Sequence, residues 1–544
     1  MNVAEAVGRS LARLGVEHVF GLVGSGNFHV TNALIAAGAR YVPAASESGA
    51  ATMADACARV SGRPTVLSVH QGPGVTNALT GITEAAKSRT PMVVLAPEAS
   101  NPRSNFHIDL AGAASAVGAA FHRVRSQSAT GDAEYAYRLA RETGAVILAL
   151  PLDVQAQEAG SEPGPALAGT DPVQQADADL AKLAAAVRTA QRPLFLVGRG
   201  GVDPRHRVPH PASLAELAER CGALLATSAA ARGLFAGDPF YLDVCGGFAS
   251  PLTAELVGEA DLVVAWGCTL NMWTTRHARL IAPGAVVAQV DDVSAVLGAY
   301  HRVDIPVLGN LWLVASALSK LVPPSTRWRT PAMAERIASS GRWRDVSYVD
   351  ESTVDGVDPR TLTIALDDLL PVDRTVAVDS GNFMGYPSMF LRVPDAAGFC
   401  FTQAYQAIGL GLASAIGAAV ARPDRLTVAA LGDGGFLLSA AELATAVRLG
   451  LPMLIVVYND AAYGAEVHHF GPDGHPLDTV TFPDTDLASI ARGFGCQAAT
   501  VRSVADLSPV GAWLAGPREV PLLLDAKIRA AHGSWWLEEA FRGH

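Results

Sequence analysis

Two aspartates stand out for their placement. The stretch LGDGGFLLSAAELATAVRLGLPMLIVVYND, which ends at Asp460, parses as a strand, a glycine-rich turn, a helix that stops at Gly450 and a second strand from Pro452. The turn holds Gly432, Asp433, Gly434 and Gly435, and Ser439 with Glu442 has the spacing of a capping box for the helix. Neighbouring parallel strands lie ~4.8 Å apart, so Asp433 and Asp460 are expected side by side at the carboxyl edge, where α/β sheets bind ligands. Two carboxylates there suit a hard cation, with diphosphate oxygens and water completing its shell. The glycines let backbone N–H groups approach the phosphates. A lone GDG is usually an ordinary turn with a capping Asp. The second acid, at the end of the very next strand, makes this one a site.

The elements that must position these residues follow from periodicity. At 544 residues the chain is too long for one core. A first segment, 1–160, alternates helical patterns with continuous apolar runs, VEHVFGLV, RPTVLSVH, TPMVVLAP and GAVILALPLDV, as strands buried on both faces do. AQEAGSEPGPALAGTDP then reads as a linker. A second segment, 175–322, carries RPLFLVGRGGV, ADLVVAWGC and GAVVAQVDD; a third, 358–530, carries RTVAVDSG, LTVAALGD, LPMLIVVYND and VPLLLDAKI, with 531–544 as a tail. The expectation is an α/β chain of three doubly wound, mostly parallel-sheet domains, the first and third alike. Half the residues are apolar and the net charge is −11, which argues against a nucleic-acid partner. No apolar run is long enough to span a membrane, and the six scattered cysteines fit a reduced, cytoplasmic setting.

The GDG turn and the acid after it resemble the thiamine-diphosphate motif of the family containing acetolactate synthase, pyruvate decarboxylase and benzoylformate decarboxylase. The resemblance runs along nearly the whole chain. It implies that thiamine diphosphate is held through Mg2+ (or Mn2+ or Ca2+), with Asp433, Asp460 and the Ala462 carbonyl as metal ligands. This sequence has Asn459-Asp460 where the family usually has two asparagines, and either could face the metal. Gly381 and Asn382, in DSGNF, fall at a second phosphate turn; Tyr463 adjoins the cofactor, and Ile408, in QAIGLGLASAIGA, aligns with an apolar wedge beneath it. The cofactor needs an acid at its pyrimidine ring. Glu47, in AASESGAATMADACARVSGRP, matches the family's activating glutamate, though a Glu in a first helical turn is more often a solvated dipole partner. These two groups lie in different domains, a pyrimidine-binding first and a diphosphate-binding third. The resemblance implies that they meet between subunits of a homodimer or homotetramer.

On the substrate side the resemblance points to Ser25, His70, His107 and Glu466, which it places as proton donors once CO2 has left. It implies decarboxylation of a 2-oxo acid, with aldehyde release or carboligation. Two alternatives stay open: a lyase or ligase for acyloins or 2-hydroxyacyl groups, and a silent cofactor-binding homologue. Features of biosynthetic acetolactate synthase are missing, since His107-Ile108 and His122 replace its usual residues. The middle segment reads GCTLNMW where flavin-bearing members have an FDDR-type sequence, which argues against FAD.

Overall fold

The computed structural model describes residues 1–167, 176–202, 211–529 and 531–537. Part of the expected linker, position 175 and the end of the expected tail (538–544) lie outside them. Three six-stranded sheets follow one another along the chain, and every pairing in them is parallel. Counting strands within each domain, the first and third share the order 2-1-3-4-6-5, whereas the middle sheet runs 3-2-1-4-5-6. Every run that reads as a strand in the sequence is one, and the central strands Met92–Glu98, Ala145–Pro151 and Met453–Asn459 are buried throughout. Seven further strands carried no such signal. Six of them, such as Arg40–Pro43 and Phe399–Phe401, lie at sheet edges, where a short strand needs only one apolar face.

The first and third domains pack through helices rich in small residues, Glu47–Ser61 and Gly411–Ala421. A side chain on Gly417 would run into the backbone of Met53, so only glycine lets these helices approach so closely. Their apolar residues merge into one core that spans both domains. The contact is pinned by a reciprocal exchange of buried acids. Glu84 of the first domain accepts from Ala404 N–H (3.0 Å) and Tyr405 N–H (2.6 Å) of the third. Glu442 of the third accepts from Ala45 N–H and Ser46 N–H, both 3.0 Å, of the first. This corrects the capping-box expectation. Ser439 ends one short helix, Asp433–Ser439, its hydroxyl donating to Gly435 O, and Glu442 opens the next, Glu442–Arg448, with its carboxylate turned to another domain.

Candidate active site

At the third sheet's carboxyl edge, Gly432 pairs with Tyr458 in adjacent strands, so the chain leaves both strands at one level. Asp433 heads its short helix and is 4% exposed. Asp460 follows the neighbouring strand, and its carboxyl group is in hydrogen-bonding contact with that of Asp433. Ala461 takes a left-handed φ of 55°, and the main chain of Ala462 lies against the Asp433 carboxyl group. Burial pushes Asp433 up to about 6; burial first, and then the charge of Asp433, raises Asp460 well above the carboxylate range. Asn459 turns the other way. It donates to Asp525 (2.8 Å) and accepts from Ala461 N–H (3.1 Å), so of the two candidates only Asp460 faces Asp433.

Three turns converge on this pair. Gly381, at φ 141°, leads into Asn382, whose side-chain oxygen accepts from Ser534 N–H and whose carbonyl accepts from Ser534 Oγ (2.7 Å) and Trp536 Nε1 (2.9 Å). Among the described residues the Asn382 amide nitrogen is buried without a partner. Asp379, raised to about 6 by burial, accepts from Gly409 N–H at 3.0 Å and thereby fixes the turn that carries Ile408. Ile408 itself lies outside the helix that follows and is 39% exposed, as an apolar support facing a ligand would be. Tyr463 packs edge-on against Phe482, and Glu466 lies in the helix Gly464–Phe470. Gly381, Asn382, Ile408, Asp433, Asp460, Ala462, Tyr463 and Glu466 line one cavity of about 930 Å³ that extends to the middle domain. Two close carboxylates, an unmet amide donor and glycine turns fit a metal-bound diphosphate.

The acid expected at the other end of the ligand is elsewhere on the chain. Glu47 opens the helix Glu47–Ser61 behind the cap Ser46, is half-buried, and accepts from Asn77 Nδ2 at 3.2 Å. A side chain on Gly74 would touch both His70 and Glu47, which places those two side by side. Ser25 Oγ lies 3.4 Å from His70 Nε2, and the Phe106 ring stands edge-on to His70 at 5.4 Å. His107 is exposed, with its Nδ1 held to Ala99 O, so it flanks this group rather than joining it. His122 is bound to Asp132 at 2.9 Å. Ser25, Glu47, His70 and His107 are absent from the cavity lined by Asp433. The expected site thus falls into two half-sites that share no cavity within one chain.

Asn77, Asp379, Ser534 and Trp536 were not foreseen. Asn77 sits one turn into the helix after GPG and Asp379 heads DSGNF, so each had a neighbour to mark it. Ser534 and Trp536 reach Asn382 from more than 150 residues away and had none.

Comparison with known proteins identifies the three domains. Residues 1–117 match the thiamine pyrophosphate enzyme N-terminal TPP binding domain, 180–318 the central domain and 379–526 the C-terminal TPP binding domain. A sulfoacetaldehyde acetyltransferase of Castellaniella defragrans is 29% identical over 94% of this chain and 90% of its own. An acetolactate synthase of Bacillus subtilis is 26% identical over 93% and 90%. A Pseudomonas aeruginosa protein named "Probable 2-ketoarginine decarboxylase" is 28% identical over 93% and 90%. With all three domain types matched in order, the chain belongs to the thiamine pyrophosphate enzymes and is an acetolactate-synthase-like catalyst that forms or cleaves carbon–carbon bonds.

Proposed function

We propose that the protein decarboxylates a 2-oxo acid with Mg2+-held thiamine diphosphate and then releases an aldehyde or passes the acyl unit to an acceptor carbonyl. The observation that carries this reading is the composition of the two half-sites: paired acids with an unmet amide on one, and a carboxyl group beside a His–Ser pair on the other. Bound thiamine diphosphate supplies a carbon nucleophile for the keto group and a sink for the electrons that CO2 leaves behind. Asp433, Asp460 and the Ala462 carbonyl would hold the cation, and the amide of Asn382 would donate to the diphosphate. Ile408 would give the bound cofactor an apolar support. Glu47, oriented by Asn77, would hydrogen-bond the cofactor's pyrimidine nitrogen. Ser25 and His70 bind the substrate carboxylate and return a proton after CO2 departs, and Glu466 holds a second proton at the cavity wall.

Two chains complete each site. Exposed apolar side chains support this: Val23, Phe28 and Phe106 lie near the first half-site in the chain, and Leu437 and Leu438 (63% exposed) follow the GDG turn. The test is CO2 release from a panel of 2-oxo acids with thiamine diphosphate and Mg2+ present. Glu47→Gln is expected to lower kcat by about 100-fold or more while the cofactor still saturates. Absence of CO2 from every acid would defeat the proposal.

A further inference from the structure

At about 930 Å³ the cavity has more room than a cation and a diphosphate fill. Beyond Ile408 its wall turns aromatic, with Phe248 and Trp273 from the middle domain, Phe401 from the third and Trp536 from the C-terminal segment. These rings form a connected surface. Phe248 stands edge-on to Phe401 at 5.9 Å and to Trp536 at 6.2 Å, and Trp273 lies 6.1 Å from Trp536. Trp273 belongs to GCTLNMW, the middle-domain segment that departs from flavin-bearing relatives. Between Phe401 and Ile408 the wall includes Gln403, nine-tenths buried, with neither the donor nor the acceptor of its carboxamide partnered among the described residues. Its backbone is not free to adjust, because Glu84 holds the next two N–H groups. A buried amide left unmet on both sides costs stability unless a ligand completes it.

We propose that the substrate is a 2-oxo acid with a planar ring as its side chain and a hydroxyl at the ring's far edge. The ring stacks among Phe248, Trp273 and Trp536, and Gln403 takes the hydroxyl, a group that both donates and accepts. A pyruvate-sized acid would leave this surface wet and the amide unmet. The proposal rests on the decarboxylation reading and narrows it.

The test compares pyruvate, phenylpyruvate and 4-hydroxyphenylpyruvate on the loaded enzyme by CO2 release. In parallel, the non-reactive 3-(4-hydroxyphenyl)propanoate is titrated against the fluorescence of the cavity tryptophans. The expected order of kcat/KM is the hydroxylated acid, then phenylpyruvate, then pyruvate, with the hydroxyl contributing about tenfold. Gln403→Leu removes that tenfold preference, and Trp273→Ala raises KM for both aryl acids more than it lowers kcat. Pyruvate matching the aryl acids would overturn the inference and leave the decarboxylase reading standing. If no acid yields CO2, the titration decides. Saturable quenching that weakens in Trp273→Ala upholds an aryl-binding cavity, and no quenching overturns it.

Discussion

Asp433 and Asp460 carry a repulsion that only a cation or a proton relieves. Asp433 is held at about 6 against an ordinary 3.8 and Asp460 is raised further, both through burial, with the neighbouring charge adding to the effect on Asp460. Acids whose folded pKa lies above the unfolded value favour the fold while protonated. That contribution is whole below about pH 4 and is lost as the pH rises through 6, on the order of 2–3 kcal/mol for a shift of this size. Metal-free protein is therefore expected to gain about 1–2 kcal/mol at pH 7.5 from Asp460→Asn and almost nothing at pH 4.5. Urea unfolding in a chelator at both pH values measures this, and equal stability of variant and parent at pH 7.5 would mean that the carboxylates do not oppose each other. The variant keeps an oxygen ligand, so Mg2+ should still support cofactor binding, more weakly. The sequence located this pair by spacing alone. It left Asn459 and Asp460 open because consecutive residues leave a strand on opposite sides, and the partner that turns Asn459 away, Asp525, is on another strand.

At the scale of elements, two buried glutamates place the segments that hold the site. Glu442 secures Ala45 and Ser46, the residues immediately before Glu47, and Ser46 Oγ adds a third bond to it at 3.1 Å. Glu84, itself paired with Arg59 at 2.7 Å, secures the stretch leading to Ile408. Glu442→Ala leaves the Ala45 and Ser46 N–H groups without their carboxylate and is expected to cost about 1–3 kcal/mol, whereas Glu442→Gln keeps an acceptor and loses less. Denaturant midpoints of the two variants separate these outcomes; if alanine were as benign as glutamine, the exchange would contribute little. A capping box is a local pattern, and nothing local shows that a carboxylate has a better partner in another domain. Edge strands such as Phe399–Phe401 escaped for a related reason, since three residues carry no periodicity and their pairing is set by the sheet beside them. Central strands were legible because burial on both faces writes itself into the sequence as an apolar run.

The whole molecule repeats one sheet order at its two ends, and the proposed site draws on both. Within a chain the two ends are bound by a shared core, yet Glu47 does not line the cavity that Asp433 lines. A second chain related by a two-fold axis would bring each acid of one copy to the paired carboxylates of the other, giving two sites per dimer. This makes a prediction that no single-chain site shares. Glu47→Gln and Asp433→Ala are each expected to be nearly inactive as pure dimers. In a hybrid of the two, one site collects both substitutions and the other has none, so that site works. Random pairing of equal amounts makes half the dimers hybrid, and activity should return to about a quarter of the unaltered enzyme's. Co-expression of the two chains under different affinity tags allows the hybrid to be isolated and assayed alone. If purified hybrid dimers are as inactive as their parents, both halves of the chemistry belong to one chain.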